Sequence, residues 1–426
     1  MKQVKSLRIR KLKKILSKKI SIPGSKSYTN RALILAALTK GKVEIINPLF
    51  SDDTEAMIDC IKKLGIKVEK KEGDLVVYGS FSDVKNKIFK LNCRLSGTTI
   101  RFLLAFSCIV RGIEILFGEK SLNKRPIKEL VDGLIKLGAK IEYINKVGYP
   151  PIKVSSSSLN GKSTQLKGDI SSQYFSAILM IAPVVGKMTI NVLGRQISKP
   201  YIDMTIDTIN KFGGKVKNNK YRQYIIPRKQ KYKAKKYLVE GDYSSAGYFF
   251  AIAALAKSNL TLTNLNKDSL QADKKLLEIL GKMDNQVVYE KNGITIKGKG
   301  VKPISTDMED CPDQIQTVAV MSAFADGETQ IRGVSSLRIK ETDRVAALQN
   351  ELAKMKIKTK ANKDTLLIYG GSPKAASIDT YNDHRMAMSF AIASSRLDGM
   401  VINNPEVVSK TFPQYWEKLK EIGFNL

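Results

Sequence analysis

The sequence predicts an α/β protein of two similar domains, each made from three copies of one unit. Three observations carry this. An apolar helix ending at a small residue, followed by a short alternating strand, recurs six times, with ends at Gly41, Gly112, Gly186, Ser258, Gly327 and Gly399. By subtraction these ends are 71, 74, 72, 69 and 72 residues apart. That period exceeds the roughly 20–50 residues of solenoid repeats, and three such units fill a domain of ordinary size. The helix bodies are apolar nearly all round, as in Phe249-Phe250-Ala251-Ile252-Ala253-Ala254-Leu255. Such helices are buried.

The strands after the first helices are Lys42-Val43-Glu44-Ile45-Ile46, Ile113-Glu114-Ile115-Leu116, Met188-Thr189-Ile190-Asn191-Val192, Leu260-Thr261-Leu262-Thr263, Thr329-Gln330-Ile331-Arg332 and Met400-Val401-Ile402-Asn403. Each alternates apolar and polar residues, the period of a half-buried strand. A second, amphipathic helix follows, starting near Asp52, Pro126, Tyr201, Gln271, Glu341 and Phe412. Most of these close on glycine, as at Leu64-Gly65, Leu137-Gly138, Phe212-Gly213 and Ile422-Gly423, the usual C-terminal stop. Further strands such as Lys67-Val68-Glu69 and Lys140-Ile141-Glu142-Tyr143 complete the unit. Residues 22–240 are expected to form the first domain. The second is expected to hold residues 241–426 together with residues 1–21, because the sixth unit stops at Phe424-Asn425-Leu426 before its last strands. The chain would then cross twice between the domains, near Pro23 and near Val239-Glu240-Gly241.

Composition limits the function. The 426 residues carry 72 Lys and Arg against 40 Asp and Glu, a formal charge of +32. This suits an anionic partner, but the lysines are scattered rather than gathered in an arm. Only 7% of residues are aromatic, with none of the interleaving that stacks single-stranded nucleic acid. A nucleic-acid-binding protein is therefore the rival of a different class, and salt-sensitive RNA retention would favour it. No segment reaches the roughly 18 apolar residues of a membrane span. The basic first 20 residues have the acid-poor character of a transit peptide, but the missing strands of the sixth unit give them a structural use. Cys60, Cys93, Cys108 and Cys311 lack metal or redox spacing and read as reduced cytoplasmic thiols. With His384 as the one histidine, a multi-histidine metal site is excluded.

The chemistry is concentrated at helix starts. In Pro23-Gly24-Ser25-Lys26-Ser27-Tyr28-Thr29-Asn30-Arg31, a strand over 18–22 breaks at Pro-Gly, and Ser25 or Ser27 is placed to cap the helix that follows. Free N–H groups, the positive dipole end, Lys26 and Arg31 together make an anion site. Capping alone explains the serines and aspartates at the other starts. It does not explain Arg101, Lys124-Arg125, Lys340, Arg344, Arg385 or Lys410, because a cation at a helix N-terminus opposes the dipole. Cations belong there when an anion lies among them. Two other motifs fail: Gly161-Lys162-Ser163 ends like a P-loop but has Ser156 in place of the first glycine, and Gly298-Lys299-Gly300 does not continue as a dinucleotide fingerprint.

The stretches PGSKSYTNRA, SGTTIRFL, NKRPIKELVDGL, GDISSQYFSA, ISKPYIDMT, EGDYSSAGYF, KETDR, NDHRMAM and SKTFP run from residue 23 to 413. Together they resemble the 5-enolpyruvylshikimate-3-phosphate synthase family of enolpyruvyl transferases across essentially the whole chain. The resemblance implies two similar domains, each of three βαβαββ units in an inverse α/β barrel-like arrangement, with helix N-termini facing an interdomain cleft. It implies transfer of the enolpyruvyl group of phosphoenolpyruvate to the 5-hydroxyl of shikimate 3-phosphate, with release of phosphate. It further implies no metal or organic cofactor, a monomer in the cytoplasm with no nucleic-acid or membrane partner, and inhibition by glyphosate. By motif, phosphoenolpyruvate would be held by Lys26, Gly97, Thr98, Arg125, Gln173, Arg344, Arg385 and Lys410. Shikimate 3-phosphate would be held by Lys26, Ser27, Arg31, Ser171, Ser172, Gln173, Ser198, Tyr201, Asp313, Ser336 and Lys340. Asp313, Glu341 and Lys26 are the candidates for proton transfer.

Addition needs a base on the 5-hydroxyl and an acid over C3 of phosphoenolpyruvate; elimination reverses these jobs. Nearby cations keep Asp313 ionised and so suited to act as the base. The same effect on Glu341 opposes an acid role, unless bound phosphate and desolvation counter it, and Lys26 competes for that role. Three positions depart from the family pattern: Leu95 stands where Asn is common, Phe102 where Pro is common, and Ser336 where an Asn contacts the 3-phosphate. Gly97→Ala is expected to put a methyl into the phosphoenolpyruvate pocket. The nearest rival reading, a transferase acting on a UDP-amino sugar, would call for a reactive loop cysteine, and only Cys93 and Cys311 lie near a candidate site.

Overall fold

The computed structural model describes residues 5–12, 18–155 and 159–426. Ser156 and parts of the 1–21 segment, residues 1–4 and 13–17, lie outside the described residues. The chain divides into two compact units, one of residues 24–240 and one of residues 1–23 with 241–426.

In chain order, β1 (Ser6–Ile9) and β2 (Lys18–Ser21) come first. The first repeat is α1 (Lys26–Leu38), β3 (Gly41–Ile46), α2 (Asp52–Lys63), β4 (Lys67–Lys71) and β5 (Asp74–Gly79). The second is β6 (Ile88–Asn92), α3 (Gly97–Ser107), β7 (Ile113–Phe117), α4 (Lys128–Lys136), β8 (Lys140–Tyr143) and β9 (Ile152–Ser155). The third is β10 (Ser163–Lys167), α5 (Ser172–Val185), β11 (Met188–Leu193), α6 (Lys199–Lys211), β12 (Lys217–Asn219) and β13 (Gln223–Ile226), followed by β14 (Lys236–Leu238). The fourth is α7 (Tyr243–Leu255), β15 (Asn259–Thr263), α8 (Lys275–Lys282), β16 (Gln286–Glu290) and β17 (Gly293–Lys297). The fifth is β18 (Ser305–Asp307), α9 (Ile315–Ser322), β19 (Gly327–Arg332), α10 (Arg344–Lys354), β20 (Lys358–Ala361) and β21 (Thr365–Gly370). The sixth is β22 (Ser377–Ile378), α11 (His384–Ala391), β23 (Met400–Asn403) and α12 (Tyr415–Glu421).

Each repeat makes one small sheet. Strand order is β14-β3-β5-β4, β6-β7-β9-β8 and β10-β11-β13-β12 in residues 24–240. In each, the first pair is parallel and the rest antiparallel. The other unit repeats this with β2-β15-β17-β16 and β18-β19-β21-β20. There β2, although it leads into α1, runs parallel to β15 with Leu260 opposite Lys18. β14, although it leads into α7, runs parallel to β3. Strand β1 lies antiparallel on β23, with Ile9 opposite Met400. Ile9 and Ile20 are the residues these strands bury, at 0% and 2% exposure.

The two places where the chain leaves one unit for the other are built alike. Asn47 and Asn264 both sit at positive φ, 55° and 64°, a conformation asparagine tolerates. Their side-chain amides donate to the carbonyls of Val239 (2.8 Å) and Ile22 (2.7 Å). Gly24 and Gly241 are required there: a Cβ on them would lie 2.0 Å from the Asn47 carbonyl oxygen and 2.1 Å from that of Asn264.

In residues 24–240 the first helices α1, α3 and α5 pack on one another. In the other unit α9 packs against both α7 and α11. Their sides are covered by the second helices and the sheets, so each helix is fixed along its length and its charged groups gather at its start. Four second helices, α4, α8, α10 and α12, begin a little later than the sequence suggests, while α2 begins at Asp52 and α6 two residues early at Lys199. Before α8 the chain winds a 3-10 turn over Ala272–Lys274, and before α10 another over Ser335–Ile339.

Candidate active site

In residues 24–240 the two arginines of the helix starts donate to neutral oxygens, whereas Lys26 pairs with a carboxylate. Lys26 heads α1, with its Nζ 3.4 Å from Asp53 Oδ2, a buried carboxylate on α2. Ser25 holds the N-cap position, but neither it nor Ser27 makes the expected side-chain cap. Ser27, half-buried, instead lends its carbonyl to Arg31 Nη1 at 2.9 Å. Arg31 is 2% exposed. Its Nε donates to Thr205 Oγ1 (2.8 Å), and its Nη2 to the Tyr201 carbonyl (3.0 Å) and Ser176 Oγ (3.4 Å). Those bonds use four of the five guanidinium N–H groups and tie α1 to α5 and α6. The face of the guanidinium lies over Phe102, 5.5 Å from the ring centroid, so the residue that departs from the family's proline packs against Arg31. Burial draws the Arg31 pKa down to about 10, which leaves it cationic at neutral pH.

At the start of α3, Arg101 Nη1 donates to Gln173 Oε1 at 2.6 Å, and Gln173 Nε2 donates to Thr98 Oγ1 at 3.2 Å. These residues thus form one chain across the starts of α3 and α5. Ser171 caps α5 by accepting from the Gln173 N–H at 3.3 Å, with Ser172 buried beside it. Ser198 is buried at the N-cap of α6 in left-handed backbone, φ 52°. A methyl on Gly97 would point at two arginines. A Cβ there would stand 2.7 Å from Arg125 Nη1 and 3.3 Å from Arg101 Nη1, and Arg125 is among the residues expected around phosphoenolpyruvate.

In residues 241–426 the cations are already paired. Asp313 lies in the 3-10 turn Pro312–Gln314 that leads into α9. Arg385, at the start of α11, reaches it with Nη2 to Oδ2 at 2.8 Å and Nη1 to its carbonyl at 3.1 Å. Arg344, the first residue of α10, is 1% exposed. It lies 2.7 Å from Asp383 Oδ2, 2.9 Å from Glu341 Oε2 and 3.4 Å from Asp313 Oδ1. Lys410 Nζ takes the other oxygen of Glu341 at 2.9 Å. Burial alone would lower the Arg344 pKa, but Asp383, Glu341 and Asp313 outweigh it and hold it above the ordinary arginine range. Tyr248 accepts from Arg385 Nη1 at 3.2 Å, and burial pushes its hydroxyl up to about 12. Ser336 and Lys340 are half-buried in and just after the turn Ser335–Ile339.

The sequence reading assigned no role to Asp53, Asp383 or Tyr248. Asp383 was detectable as the residue before His384-Arg385, since its side chain caps α11 by accepting from the Arg385 N–H at 2.8 Å. Cys93 and Cys311 are both fully buried, and burial pushes both thiols up. They are not the exposed, activated thiols of a reactive loop. Gly161 is not a phosphate loop either: a Cβ there would lie 2.7 Å from the Leu137 Cα.

Repeated α/β sheets around buried helices, with arginines and lysines at their polar starts, define an enzyme that receives small anions. A family model described as EPSP synthase (3-phosphoshikimate 1-carboxyvinyltransferase) matches residues 11–419, and the chain belongs to that family. It is 41% identical over 411 residues to the 3-phosphoshikimate 1-carboxyvinyltransferase of Colwellia psychrerythraea, covering 95% of this chain and 96% of the relative. It is 38% identical to the protein of the same name from Vibrio atlanticus, covering 99% and 100%. The fold matches that of an EPSP synthase from Acinetobacter baumannii with a TM-score of 0.83 at 24% identity over 99% of both chains. Among the described residues no helix is long and apolar enough to cross a membrane.

Proposed function

We propose that the residues at these helix starts transfer the enolpyruvyl group of phosphoenolpyruvate to the 5-hydroxyl of shikimate 3-phosphate. Family membership supports the reaction. The observation that supports the assignment of roles is the pairing of Asp313 and Glu341 with Arg344, Arg385 and Lys410. In this reading Lys26, Ser27, Arg31, Ser171, Ser172, Gln173, Ser198, Tyr201, Ser336 and Lys340 receive shikimate 3-phosphate. Arg31 does so chiefly by positioning α1 against α6. Arg125, Arg344, Arg385 and Lys410 take phosphoenolpyruvate, with Lys26, Gly97, Thr98 and Gln173 beside it.

Binding then changes the acids. The substrate's carboxylate and phosphate draw the three cations away from Asp313 and Glu341. Glu341 loses its counter-ions and gains an anionic neighbour, and both effects raise a carboxyl pKa. This removes the objection to Glu341 as a proton donor. Asp313 takes the proton of the 5-hydroxyl as the oxygen adds to C2, while Glu341, or Lys26 in its place, protonates C3. In elimination a C3 proton returns to that residue, the C2–O bond to phosphate breaks, and phosphate leaves. The enzyme works as a monomer in the cytoplasm on the route to chorismate and the aromatic amino acids; its four buried free thiols suit a reducing compartment. The test is a coupled assay of phosphate release. Release should require both substrates together. Release from phosphoenolpyruvate alone, or none with both, would contradict the proposal.

A further inference from the structure

Behind Asp313 lies a second carboxyl that the reaction as described does not use. Asp273 sits in the 3-10 turn Ala272–Lys274, which packs against α7 and against the Pro312–Gln314 turn that carries Asp313. Its residue is 3% exposed. Ser244 Oγ, in the first turn of α7, donates to Oδ2, and among the described residues Oδ1 has no hydrogen-bond partner. The turn is held in place by Gln271, whose Oε1 accepts from the Tyr243 N–H at 3.1 Å and whose Nε2 donates to the Gly241 carbonyl at 2.7 Å. The charged groups acting on Asp273 are Asp313 from the facing turn, Arg385 from α11 and Asp242 at the head of α7. Cys311, on the facing turn, is a neighbouring thiol that burial keeps neutral.

A buried carboxyl beside a second carboxyl, with one oxygen unsatisfied, is poor stability design. It makes sense as an electrostatic device. Asp313 is gripped by Arg344 and Arg385, which favour its ionised form and so weaken it as a base. We propose that Asp273 is a positioning residue for the transfer: its carboxylate, buried behind the Asp313 turn, offsets the two arginines and sets how strongly Asp313 takes the hydroxyl proton. This rests on the reading of Asp313 as the base.

Burial first, and Asp313 second, push the Asp273 carboxyl up to about 7, against the pull of Arg385 and Ser244. Charge coupling is reciprocal. If the Asp313 charge raises the proton affinity of Asp273, the Asp273 charge raises that of Asp313 equally. The two then titrate as a pair whose apparent values belong to both. As pH rises through the upper step, Asp273 ionises and Asp313 becomes a stronger base.

The test is the pH profile of kcat/KM for shikimate 3-phosphate on the full-length enzyme, which reports ionisations of the free protein. The wild type should show an acid limb with a step near neutral pH. Asp273→Asn is isosteric, keeps an acceptor for Ser244 and cannot ionise. It should lose that step and leave the lower, Asp313 step where it is, because Asp273 is already neutral there. Ser244→Ala, which removes a bond favouring the Asp273 anion, should move the step the other way, to higher pH. A structural role alone would not abolish the step in one variant and raise it in the other. A step near neutral pH kept in folded Asp273→Asn, or an unmoved or lowered step in Ser244→Ala, would overturn the proposal. Asp313→Asn separates the two claims. If it loses turnover while Asp273→Asn keeps the wild-type profile, this inference alone fails. If it keeps full turnover, the assignment of Asp313 as base fails, and this inference with it.

Discussion

In residues 24–240, Arg31 and Arg101 donate to neutral oxygens: a threonine, a serine, backbone carbonyls and the Gln173 amide. In residues 241–426, Arg344, Arg385 and Lys410 donate to carboxylates. The same repeat, with cations at the same kind of helix start, has been wired in two ways. Neutral acceptors leave a cation its full charge. In the proposed reaction a cation on carboxylates releases them, and the released carboxylates serve as the acid and base. The first arrangement suits holding a substrate, and the second suits moving protons. The conflict between these cations and the helix dipole is also settled differently, by capping carboxylates such as Asp383 in one unit and by donors to neutral groups in the other.

The contrast can be broken in several ways. The largest effect should come from Asp313→Ala. Removing a general base costs roughly 10²–10⁴-fold, so kcat should fall by that order while equilibrium binding of shikimate 3-phosphate is largely kept. Near-normal kcat would remove Asp313 from the proton-moving half.

Next is Arg344→Met. It leaves Asp383, Glu341 and Asp313 without their shared buried cation, and breaking a buried pair costs about 3–5 kcal/mol. Thermal unfolding should show a larger loss than Arg101→Met, whose lost bond to a neutral amide is worth about 1.5–3 kcal/mol. Equal losses would mean that the two wirings do not differ in energy.

Gly97→Ala sharpens the neutral-donor side. The methyl would sit 2.7 Å from Arg125 Nη1, and overpacking costs about 1–3 kcal/mol. Because the flexible arginine end moves, phosphoenolpyruvate and glyphosate should weaken together, by roughly tenfold per 1.4 kcal/mol. A loss confined to glyphosate would restore the simpler idea of a methyl striking the inhibitor.

A last effect, on stability rather than turnover, concerns Glu114, fully buried on β7 with both oxygens unpartnered among the described residues. Burial pushes it up to about 8 from an ordinary 4.5. Between those values the folded protein holds a proton that the unfolded chain has released. Stability should therefore fall as pH rises across that window, by at most about 1.4 kcal/mol per pH unit. Denaturant unfolding at several pH values should show this slope, and Glu114→Gln should flatten it. An unchanged slope in that variant would assign it to other groups.

Much of the fold is legible because glycine stops and alternating strands are local signals. The strand from Ile113 and the strand from Lys140 are found where the sequence puts them. The starts of second helices are less legible. Pro126, Gln271, Glu341 and Phe412 precede their helices by two to four residues, because extended or 3-10 backbone intervenes and looks like a first turn in sequence. Strand partners are not legible at all. The short patterns of β1 and β2 would fit the edge of any sheet, and only tertiary packing chooses β23 and β15. In the site, the cations stand out because they oppose the helix dipole. Their counter-ions do not, because Asp53 and Asp383 occupy positions where an aspartate is ordinary at a helix start. The charge of Arg31 is visible in the sequence, but its burial and its bonds to α5 and α6 are not.

The central claim is that the protein works by adding and then removing a proton at C3 of phosphoenolpyruvate. The most direct test is to run the reaction with both substrates in deuterated water and examine the product by mass spectrometry and NMR. Addition turns C3 into a methyl group that gains one solvent hydrogen, and elimination then removes one of its three. Deuterium is expected at C3 of the enolpyruvyl group of the product. A product with no deuterium at that carbon, formed at full rate, would contradict it.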